Sequence, residues 1–196
     1  FKRYVDFFGV DAFKGMRVAI YEHSSVARDI LKAILEALGA EVISLGRTDT
    51  FVPIDTEAVM PEDVERAQQW AREYQVDAIF STDGDADRPL IADEAGQWLR
   101  GDVVGVLCAK YLGINVLVTP VSSNTVAELS GWFKGGVVRT RIGSPYVIAA
   151  MNDGMQRNFK VSGYEANGGF LLGCDVKLDG RNVSALPTRD AILPML

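Results

Sequence analysis

The feature that most constrains the fold is an alternation of short apolar runs with amphipathic helical stretches, joined by few residues. MRVAIY (Met16 to Tyr21) has the length and composition of a buried strand. SSVARDILKAILEALG follows with apolar residues at helical spacing, and AEVISLG then has the pattern of a second strand. Two strands joined through a helix by short connections favour a parallel pair with a right-handed crossover. The sequence therefore predicts an α/β fold.

The helix after the first strand has predictable ends. Ser24 or Ser25 is expected to cap its N-terminus, and Gly39 is expected to end it. Its apolar stripe consists of Val26, Ile30, Leu31, Ile34, Leu35 and Leu38. His23, the one histidine of the chain, precedes the serines. We interpret it as a structural residue beside a helix start, in preference to a nucleophile pair or an anion site.

The alternation continues through the first half of the chain. PEDVERAQQWAREYQ (Pro61 to Gln75) predicts a helix with Trp70 and Tyr74 facing the core. VDAIFST predicts a third strand, and LIADEAGQWL predicts a hairpin that turns at Glu94 to Gly96.

A second round of alternation begins at Gly101. Helices are predicted in DVVGVLCAKYLG, with Asp102 as its cap, in SSNTVAELSGW, in SPYVIAAMNDG and in a closing PTRDAILPML. Strands are predicted in INVLVTP, GVVRT and FKVSGYE, with GGFLLG as a strand or hairpin partner. We therefore expect two consecutive three-layer α/β domains with mixed, mainly parallel sheets, covering residues 1–99 and 100–196.

Charge and composition exclude several classes of protein. The net charge is −6 and no block of lysines and arginines occurs, so nucleic-acid binding is not expected. No apolar run has the length of a membrane span, and the N-terminus lacks a signal-peptide pattern. Cys108 and Cys174 lie in apolar stretches and form no disulfide framework, which fits a reducing, cytoplasmic location. Because the chain opens at Phe1 without a methionine, we expect it to belong to a longer chain.

The stretch FSTDGDADRPL (Phe80 to Leu90) crowds three carboxylates, those of Asp83, Asp85 and Asp87, behind a predicted strand. Carboxylates so close repel one another unless a cation neutralises them. Hard oxygen donors without histidine or cysteine indicate magnesium or calcium instead of zinc. Arg88 adds a positive group beside this site, and a phosphate bound to the cation is the partner that suits it.

Two other interpretations of this loop compete with the magnesium site. An EF-hand numbered from Asp83 has Glu94 at its twelfth position, but Arg88 stands where a glycine is required and the flanks are strands. A solvated acidic turn is the second alternative, and it stays open. Gly84 and the small Ala86 permit the loop to curl around an ion.

The sequence DGDADR resembles the metal loop of the α-D-phosphohexomutases, the phosphomannomutase and phosphoglucomutase group, whose motif is D-G-D-x-D-R. Three weaker motifs follow in the order of that family: SSNT (Ser122 to Thr125), RTRIGSPYV (Arg139 to Val147) and GYEANGG (Gly163 to Gly169). The resemblance covers nearly the whole chain, but only the middle two domains of a four-domain enzyme.

The resemblance implies an intramolecular phosphotransferase that interconverts hexose 1-phosphate and 6-phosphate through a phosphoserine. Asp83, Asp85 and Asp87 match the ligands of the family's Mg²⁺ ion, and Arg88 matches the residue that stabilises the transferring group. Phosphoryl transfer depends mostly on positioning and charge neutralisation, which these residues can supply. The implied partners are a phosphorylated hexose and the remaining domains of the parent chain, without nucleic acid or membrane.

The resemblance also implies a substrate-binding group. Glu165, Asn167 and Gly168 match the loop that contacts sugar hydroxyls, and Arg141 and Gly143 match the segment near the reacting phosphate. Asn167 replaces the usual serine and Gly169 stands where many members have histidine, so the sugar is left open.

The chain lacks the serine loop and the C-terminal phosphate-binding domain of the family, so the piece is not expected to turn over alone. Two alternatives from other classes remain at this point. One is a non-catalytic cation-binding α/β module, and the other is a phosphatase that forms an aspartyl phosphate on Asp83.

Overall fold

The computed structural model describes residues 1–156 and 159–196. It divides into two compact units, Phe1–Leu99 with Met195–Leu196, and Arg100–Pro194. The helices are α1 (Lys2–Phe8), α2 (Arg28–Ala37), α3 (Pro61–Tyr74), α4 (Gly101–Tyr111), α5 (Val126–Leu129) and α6 (Ser144–Met155), with a 3₁₀-helix at Leu193–Met195. The strands are β1 (Arg17–Tyr21), β2 (Glu41–Leu45), β3 (Ala78–Thr82), β4 (Pro89–Ala92), β5 (Val116–Pro120), β6 (Gly136–Thr140), β7 (Val161–Tyr164), β8 (Phe170–Leu172), β9 (Val176–Leu178), β10 (Arg181–Val183) and β11 (Leu186–Asp190). Across these described residues, no helix is both long and apolar enough to span a membrane.

The sheet of the first unit has the strand order β2-β1-β3-β4. β1 is parallel to both β2 and β3, and β4 is antiparallel to β3. Val18, Ala19 and Ile20 of β1 are buried, as expected for a central strand covered on both faces. This is the mixed, mainly parallel α/β arrangement that the sequence predicts, and it brings the ends of β1 and β3 to one edge.

The apolar stripe of α2 is narrower than predicted. Leu31, Ile34, Leu35 and Leu38 are buried, but Ile30 is half exposed and Val26 lies in the loop before the helix with most of its surface exposed. The predicted serine cap is wrong, because the helix begins at Arg28 and its N-cap residue, Ala27, has no side-chain cap. The predicted stop at Gly39 agrees with its left-handed φ of 92°.

The predicted elements around α3 are confirmed. The helix begins at its proline, and Trp70 and Tyr74 pack partly buried against the core of the first unit. The predicted hairpin turn also forms, since the Asp93 amide donates to the Gln97 carbonyl and Trp98 bridges the end of β4.

The sheet of the second unit has the order β11-β8-β7-β5-β6. β5 is parallel to β6 and β7, whereas β8 is antiparallel to both β7 and β11. Its core includes Val116, Val118, Val147, Met151 and Val161. The ends of β5, β6 and β7 therefore lie at one edge.

The predicted closing helix is wrong. Its residues form β11, which pairs with β8, and a 3₁₀-helix, and the ring of Pro194 disfavours a longer α-helix through this segment. The Asp190 carboxylate accepts from the amides of Ile192 and Leu193 at 3.1 and 3.0 Å, which ends the strand.

The sequence pattern also did not predict α1 or the hairpin of β9 and β10. That hairpin turns at Asp179 and Gly180, which both have positive φ, of 48° and 79°. Asp-Gly is a strong signal for such a turn, so this element was predictable in principle.

Asp102 lies inside the first turn of α4 and is not its cap. Asp102 is fully buried and forms a bidentate ion pair with Arg100, with distances of 3.0 and 3.1 Å. Its carboxylate also accepts a hydrogen bond from the Asn124 amide at 2.8 Å. Burial alone raises the pKa of Asp102, but the guanidinium and the amide outweigh burial and hold that pKa below its ordinary value. Asp102 thereby ties the start of α4 to the loop after β5.

Replacing Asp102 by Asn is expected to lower the free energy of unfolding of the second unit by about 1–3 kcal/mol, because the ion pair is lost. The loss stays moderate because the Arg100 side chain is 69% exposed and remains solvated. Since folding lowers the pKa of Asp102, its contribution exists above the unfolded-state pKa and disappears as pH falls through the folded-state pKa. Urea unfolding at pH 7 and pH 3 measures both effects.

Asp153→Asn, an exposed change on α6, is the matched control and should leave stability unchanged. A difference between wild type and Asp102→Asn that is equally large at pH 3 would contradict the ion-pair explanation.

Candidate functional site

The three aspartates of the acidic loop converge where β3 ends. Each of Asp83, Asp85 and Asp87 offers a carboxylate oxygen, and these oxygens lie within 4.8 Å of one another. Asp83 is buried, Asp85 is exposed and Asp87 is half-buried, so the cluster opens from the sheet edge towards solvent. The structure thus brings together the residues that the sequence predicts as metal ligands.

Asp83 organises the loop through its own carboxylate. Its Oδ1 accepts from the amides of Asp87 and Arg88 at 3.1 and 3.2 Å, and its amide donates to the Arg88 carbonyl. The bend falls at Ala86, which adopts a left-handed φ of 62° that is rare for a residue with a side chain. Such local strain persists where the surrounding structure fixes the backbone.

The loop has an excess of negative charge. Burial, together with the charges of Asp85 and Asp87, raises the pKa of Asp83 to about 6, although the amide and guanidinium of Arg88 act in the opposite direction. The Arg88 Nε lies 3.6 Å from Asp83 Oδ2 and 3.5 Å from Asp87 Oδ1. One guanidinium therefore neutralises the three carboxylates only in part, and the donor set is purely carboxylate oxygen. Both features fit a hard divalent cation such as Mg²⁺ or Ca²⁺.

An apolar groove lies beside this loop within the first unit. Its volume is about 440 Å³, and its lining consists of Val26, Phe51, Pro53 and Ile54 together with Asp83, Gly84 and Asp85. The Phe51 ring lies so close to Gly84 that a side chain at Gly84 would meet it at 3.3 Å. A side chain at this position would therefore require the Phe51 ring to shift slightly.

Three loops of the second unit share the edge at which β5, β6 and β7 end. These loops are Ser122–Thr125, Arg141–Gly143 and Glu165–Gly169. Parallel neighbours carry their carboxyl ends to the same side of a sheet, where ligands of α/β proteins bind. The residues that the sequence predicts for substrate binding in this unit thus lie on loops at one edge.

The loop after β7 is held by its own hydrogen bonds. The Glu165 amide donates to Gly169, the Gly168 amide donates to Glu165, and the Asn167 side chain accepts from the Gly169 amide at 2.9 Å. Gly168 has a left-handed φ of 89°. Glu165 is buried, and its Oε2 accepts from the Arg189 Nε at 2.7 Å.

Arg189 is a residue that sequence reasoning missed. It lies in β11, which the sequence pattern assigned to a helix, so its approach to the loop after β7 was not predictable. Gly101 makes a second unpredicted approach, since a side chain there would come within 2.3 Å of the Gly168 amide nitrogen. The N-terminus of α4 therefore abuts this loop directly.

The end of β6 and the segment after it contain two arginines with different environments. Arg141 is exposed, and its guanidinium lies 5.7 Å from the centre of the Tyr146 ring. Gly143 is the N-cap of α6, with a left-handed φ of 122°. The Arg139 guanidinium instead donates to both carboxylate oxygens of Glu128, at 2.7 and 2.8 Å. Only Arg141 of this pair projects a guanidinium into solvent.

Arg139 also fixes the loop after β5. Its guanidinium donates at 2.9 Å to the carbonyls of Pro120, Ser123 and Asn124. The Asn124 side chain accepts from the Val126 amide at 2.8 Å, so this asparagine supports the start of α5, whose N-cap residue is Thr125.

Comparison with known proteins identifies relatives of both units. Residues 2–96 match the model for the phosphoglucomutase/phosphomannomutase alpha/beta/alpha domain II, and residues 100–196 match that for domain III. The chain is 54% identical over 195 residues to a phosphomannomutase of Salmonella muenchen, covering 99% of this chain and 40% of the relative. It is 46% identical over 196 residues to a phosphomannomutase of Sinorhizobium fredii, covering 100% of this chain and 41% of the relative.

More distant relatives agree with this result. A phosphoglucosamine mutase of Pelobacter propionicus is 32% identical over 149 residues, covering 71% of this chain and 32% of the relative. The structure of a phosphoglucomutase/phosphomannomutase family protein from Burkholderia thailandensis superimposes with a TM-score of 0.70 at 18% identity, covering 91% of this chain and 38% of that one. That likeness shows the fold alone. The chain spans about 40% of the length of the phosphomannomutases it matches.

Cation binding by the acidic loop is expected to weaken in acid, because a proton on Asp83 competes with the metal. With a pKa of about 6 for Asp83, the affinity for Mn²⁺ should fall about tenfold per pH unit below pH 6 and level off above pH 7. Without metal the sign is opposite: the folded state holds the proton more tightly than the unfolded state, so stability falls as pH rises from about 4 to 6. Water-proton relaxation titrations with Mn²⁺ and urea unfolding measure the two trends.

The exposed change Glu57→Gln is the matched control, and Asp83→Asn should remove the part of the pH dependence of each quantity that lies between about pH 4 and 6. An affinity for Mn²⁺ that stays constant between pH 5 and pH 7 would contradict the prediction.

Proposed function

The chain belongs to the phosphoglucomutase/phosphomannomutase family, and from this premise we propose that it is the metal-binding and sugar-binding part of a phosphohexomutase. The parent enzyme interconverts hexose 1-phosphate and hexose 6-phosphate. Residues 1–99 correspond to its second domain and residues 100–196 to its third. The observation that carries this proposal is the convergence of three carboxylates within 4.8 Å at the end of β3, in a chain of this family.

The cation in this proposal is Mg²⁺, with Asp83, Asp85 and Asp87 as its protein ligands. When bound, the ion supplies positive charge beside the phosphoryl group that is transferred. Asp83 is preset for its role, because two backbone amides fix its Oδ1 and its Oδ2 faces Arg88. A phosphoserine outside this chain is the proposed phosphoryl carrier.

Arg88 is the proposed catalytic residue of the loop. Its guanidinium sits beside the carboxylates of Asp83 and Asp87 and keeps about a third of its surface exposed. A positive group held in this way can neutralise charge that develops on equatorial phosphoryl oxygens, which is the main task in phosphoryl transfer.

The loop after β7 is the proposed sugar site. Glu165 and Asn167 contact sugar hydroxyls, and Gly168 lets the backbone approach the ring closely. The short ion pair with Arg189 supports this role, because it fixes the orientation of a buried carboxylate. Exposed Arg141, with the turn at Gly143, is the proposed contact for the substrate phosphate.

The burial of Asp83 argues for a ligand role over a nucleophilic one. A phosphatase that forms an aspartyl phosphate needs a carboxylate oxygen accessible for attack, whereas Asp83 is buried and its Oδ1 accepts two amides. The proposed partners are a phosphorylated hexose and the other domains of the parent chain. A cytoplasmic location is part of the proposal, since phosphorylated sugars are charged metabolites.

The function is tested by assaying the full-length parent chain with Mg²⁺ on the 1-phosphates of mannose, glucose and glucosamine. Interconversion of at least one pair of isomers is expected. Asp85→Asn should lower kcat about 10²–10³-fold, because the loop then binds the cation poorly. Glu57→Gln, an exposed acid elsewhere in the first unit, should retain full activity. Release of inorganic phosphate without isomerisation would overturn the mutase assignment.

The sugar site is tested through Arg189. Arg189→Ala should raise KM about tenfold with a smaller change in kcat, because Glu165 loses the partner that orients it towards the sugar. Lys177→Ala, on the exposed side of β9, is the matched control. Steady-state kinetics of the full-length chain with each sugar phosphate give both constants, and an unchanged KM in Arg189→Ala would contradict the role of the ion pair.

A further inference from the structure

The segment His23–Val26, between β1 and α2, reaches the residues that surround Asp83. His23 is fully buried, and its Nε2 lies 2.8 Å from the Thr82 carbonyl oxygen. Because a carbonyl only accepts, Nε2 must carry the proton. The Ser81 hydroxyl reaches the same carbonyl only at 3.5 Å, so His23 is the closer donor.

A directed chain of hydroxyl groups makes the second contact. The Thr82 hydroxyl donates to the Asp83 carbonyl at 2.8 Å, and the Ser25 Oγ lies 2.6 Å from the Thr82 Oγ1. Each hydroxyl has one proton, so Ser25 must donate to Thr82. The Ser25 Oγ in turn accepts from the Ala27 amide at 3.1 Å. Every donor and acceptor in this chain has a defined direction.

The third contact is made by the backbone, since the Val26 amide donates to the Gly84 carbonyl at 3.1 Å. Three consecutive carbonyls, those of residues 82, 83 and 84, thus receive a hydrogen bond from this segment, directly or through one hydroxyl.

We propose that His23–Val26 is a clamp that positions the backbone of Thr82–Gly84 and thereby aims the carboxylates of Asp83 and Asp85 at the cation. This proposal depends on the cation site of the proposed function, but it does not depend on mutase turnover.

His23 itself adopts an unfavourable local state. Its φ is 30°, which is rare for a residue with a side chain, and within the described residues its buried Nδ1 has no hydrogen-bond partner. Burial lowers the pKa of His23, so the ring is neutral at pH 7. Features of this kind persist where a structure must hold a functional segment. Helix capping does not require them, because α2 begins at Arg28.

The clamp is tested by separating loop order from overall stability. His23→Ala and Ser25→Ala remove its donors, whereas His23→Gln keeps an N–H group near the position of Nε2. Tyr21→Phe is the matched control, because it removes a buried hydroxyl that contacts Asp63 and Arg66 but keeps the ring beside His23. The readouts are the Kd for Mn²⁺, hydrogen exchange of the Asp87 and Arg88 amides without metal, and urea unfolding of each variant.

We expect His23→Ala and Ser25→Ala each to raise the Kd for Mn²⁺ about five- to tenfold and to accelerate exchange of the two amides by a similar factor. His23→Gln should stay within about twofold of the wild type. Tyr21→Phe should lower stability while it leaves the Kd and the local exchange unchanged. Ser25→Ala carries the test if His23→Ala does not fold.

The proposal would be overturned if His23→Ala and Ser25→Ala both kept the wild-type Kd for Mn²⁺ and the wild-type exchange rates of the two amides. Changes in these two variants that are no larger than those in Tyr21→Phe would also overturn it. Weak oxygen sites bind divalent cations with a Kd of about 1 mM. A wild-type protein that binds no Mn²⁺ at about 10 mM would therefore overturn the proposal as well. These outcomes are independent of the assay for the proposed function. A full-length chain without mutase activity whose loop still binds Mn²⁺ through the clamp would refute the mutase function and support the clamp.

Discussion

Mutual repulsion among the carboxylates of Asp83, Asp85 and Asp87 is the constraint on which the first unit depends. Their oxygens lie within 4.8 Å, a separation at which like charges destabilise a folded chain. The two amides that donate to Asp83 and the guanidinium of Arg88, which lies near the carboxylates of Asp83 and Asp87, offset part of that repulsion. A site held in this way without a cation needs little rearrangement to accept one.

Both units place their candidate loops where parallel strands end. The acidic loop leaves β3, and the loops proposed for the substrate leave β5, β6 and β7. Buried apolar strands provide a rigid base, so the polar loops need only local hydrogen bonds to keep their shape. Arg139 and Asp102 provide such bonds for the loop after β5, as Arg189 does for Glu165.

Hydrophobic periodicity predicts elements whose burial follows from the local sequence pattern. It fails for elements whose secondary structure depends on contacts with residues far away in the sequence. β1, β3 and α3 are confirmed because their burial follows from local pattern. β11 was mistaken for part of a helix, because apolar residues follow it from Ala191 onward, while its pairing with β8 is non-local. The acidic loop was predictable from charge alone. The ion pair of Glu165 with Arg189 was not, because it depends on the register of a strand 24 residues away.

The separation of the two loop groups has a consequence for specificity. Neutralising a phosphoryl group requires the same charges for every hexose, so the Asp83 loop has little freedom to vary with the sugar. In the proposed function, recognition of hydroxyl groups falls instead to Glu165 and Asn167, which are supported by contacts inside the second unit. Under the proposed function, changes of sugar preference can therefore accumulate in the second unit without disturbing the cation site. This division fits a family whose members in this comparison include both phosphomannomutases and phosphoglucosamine mutases.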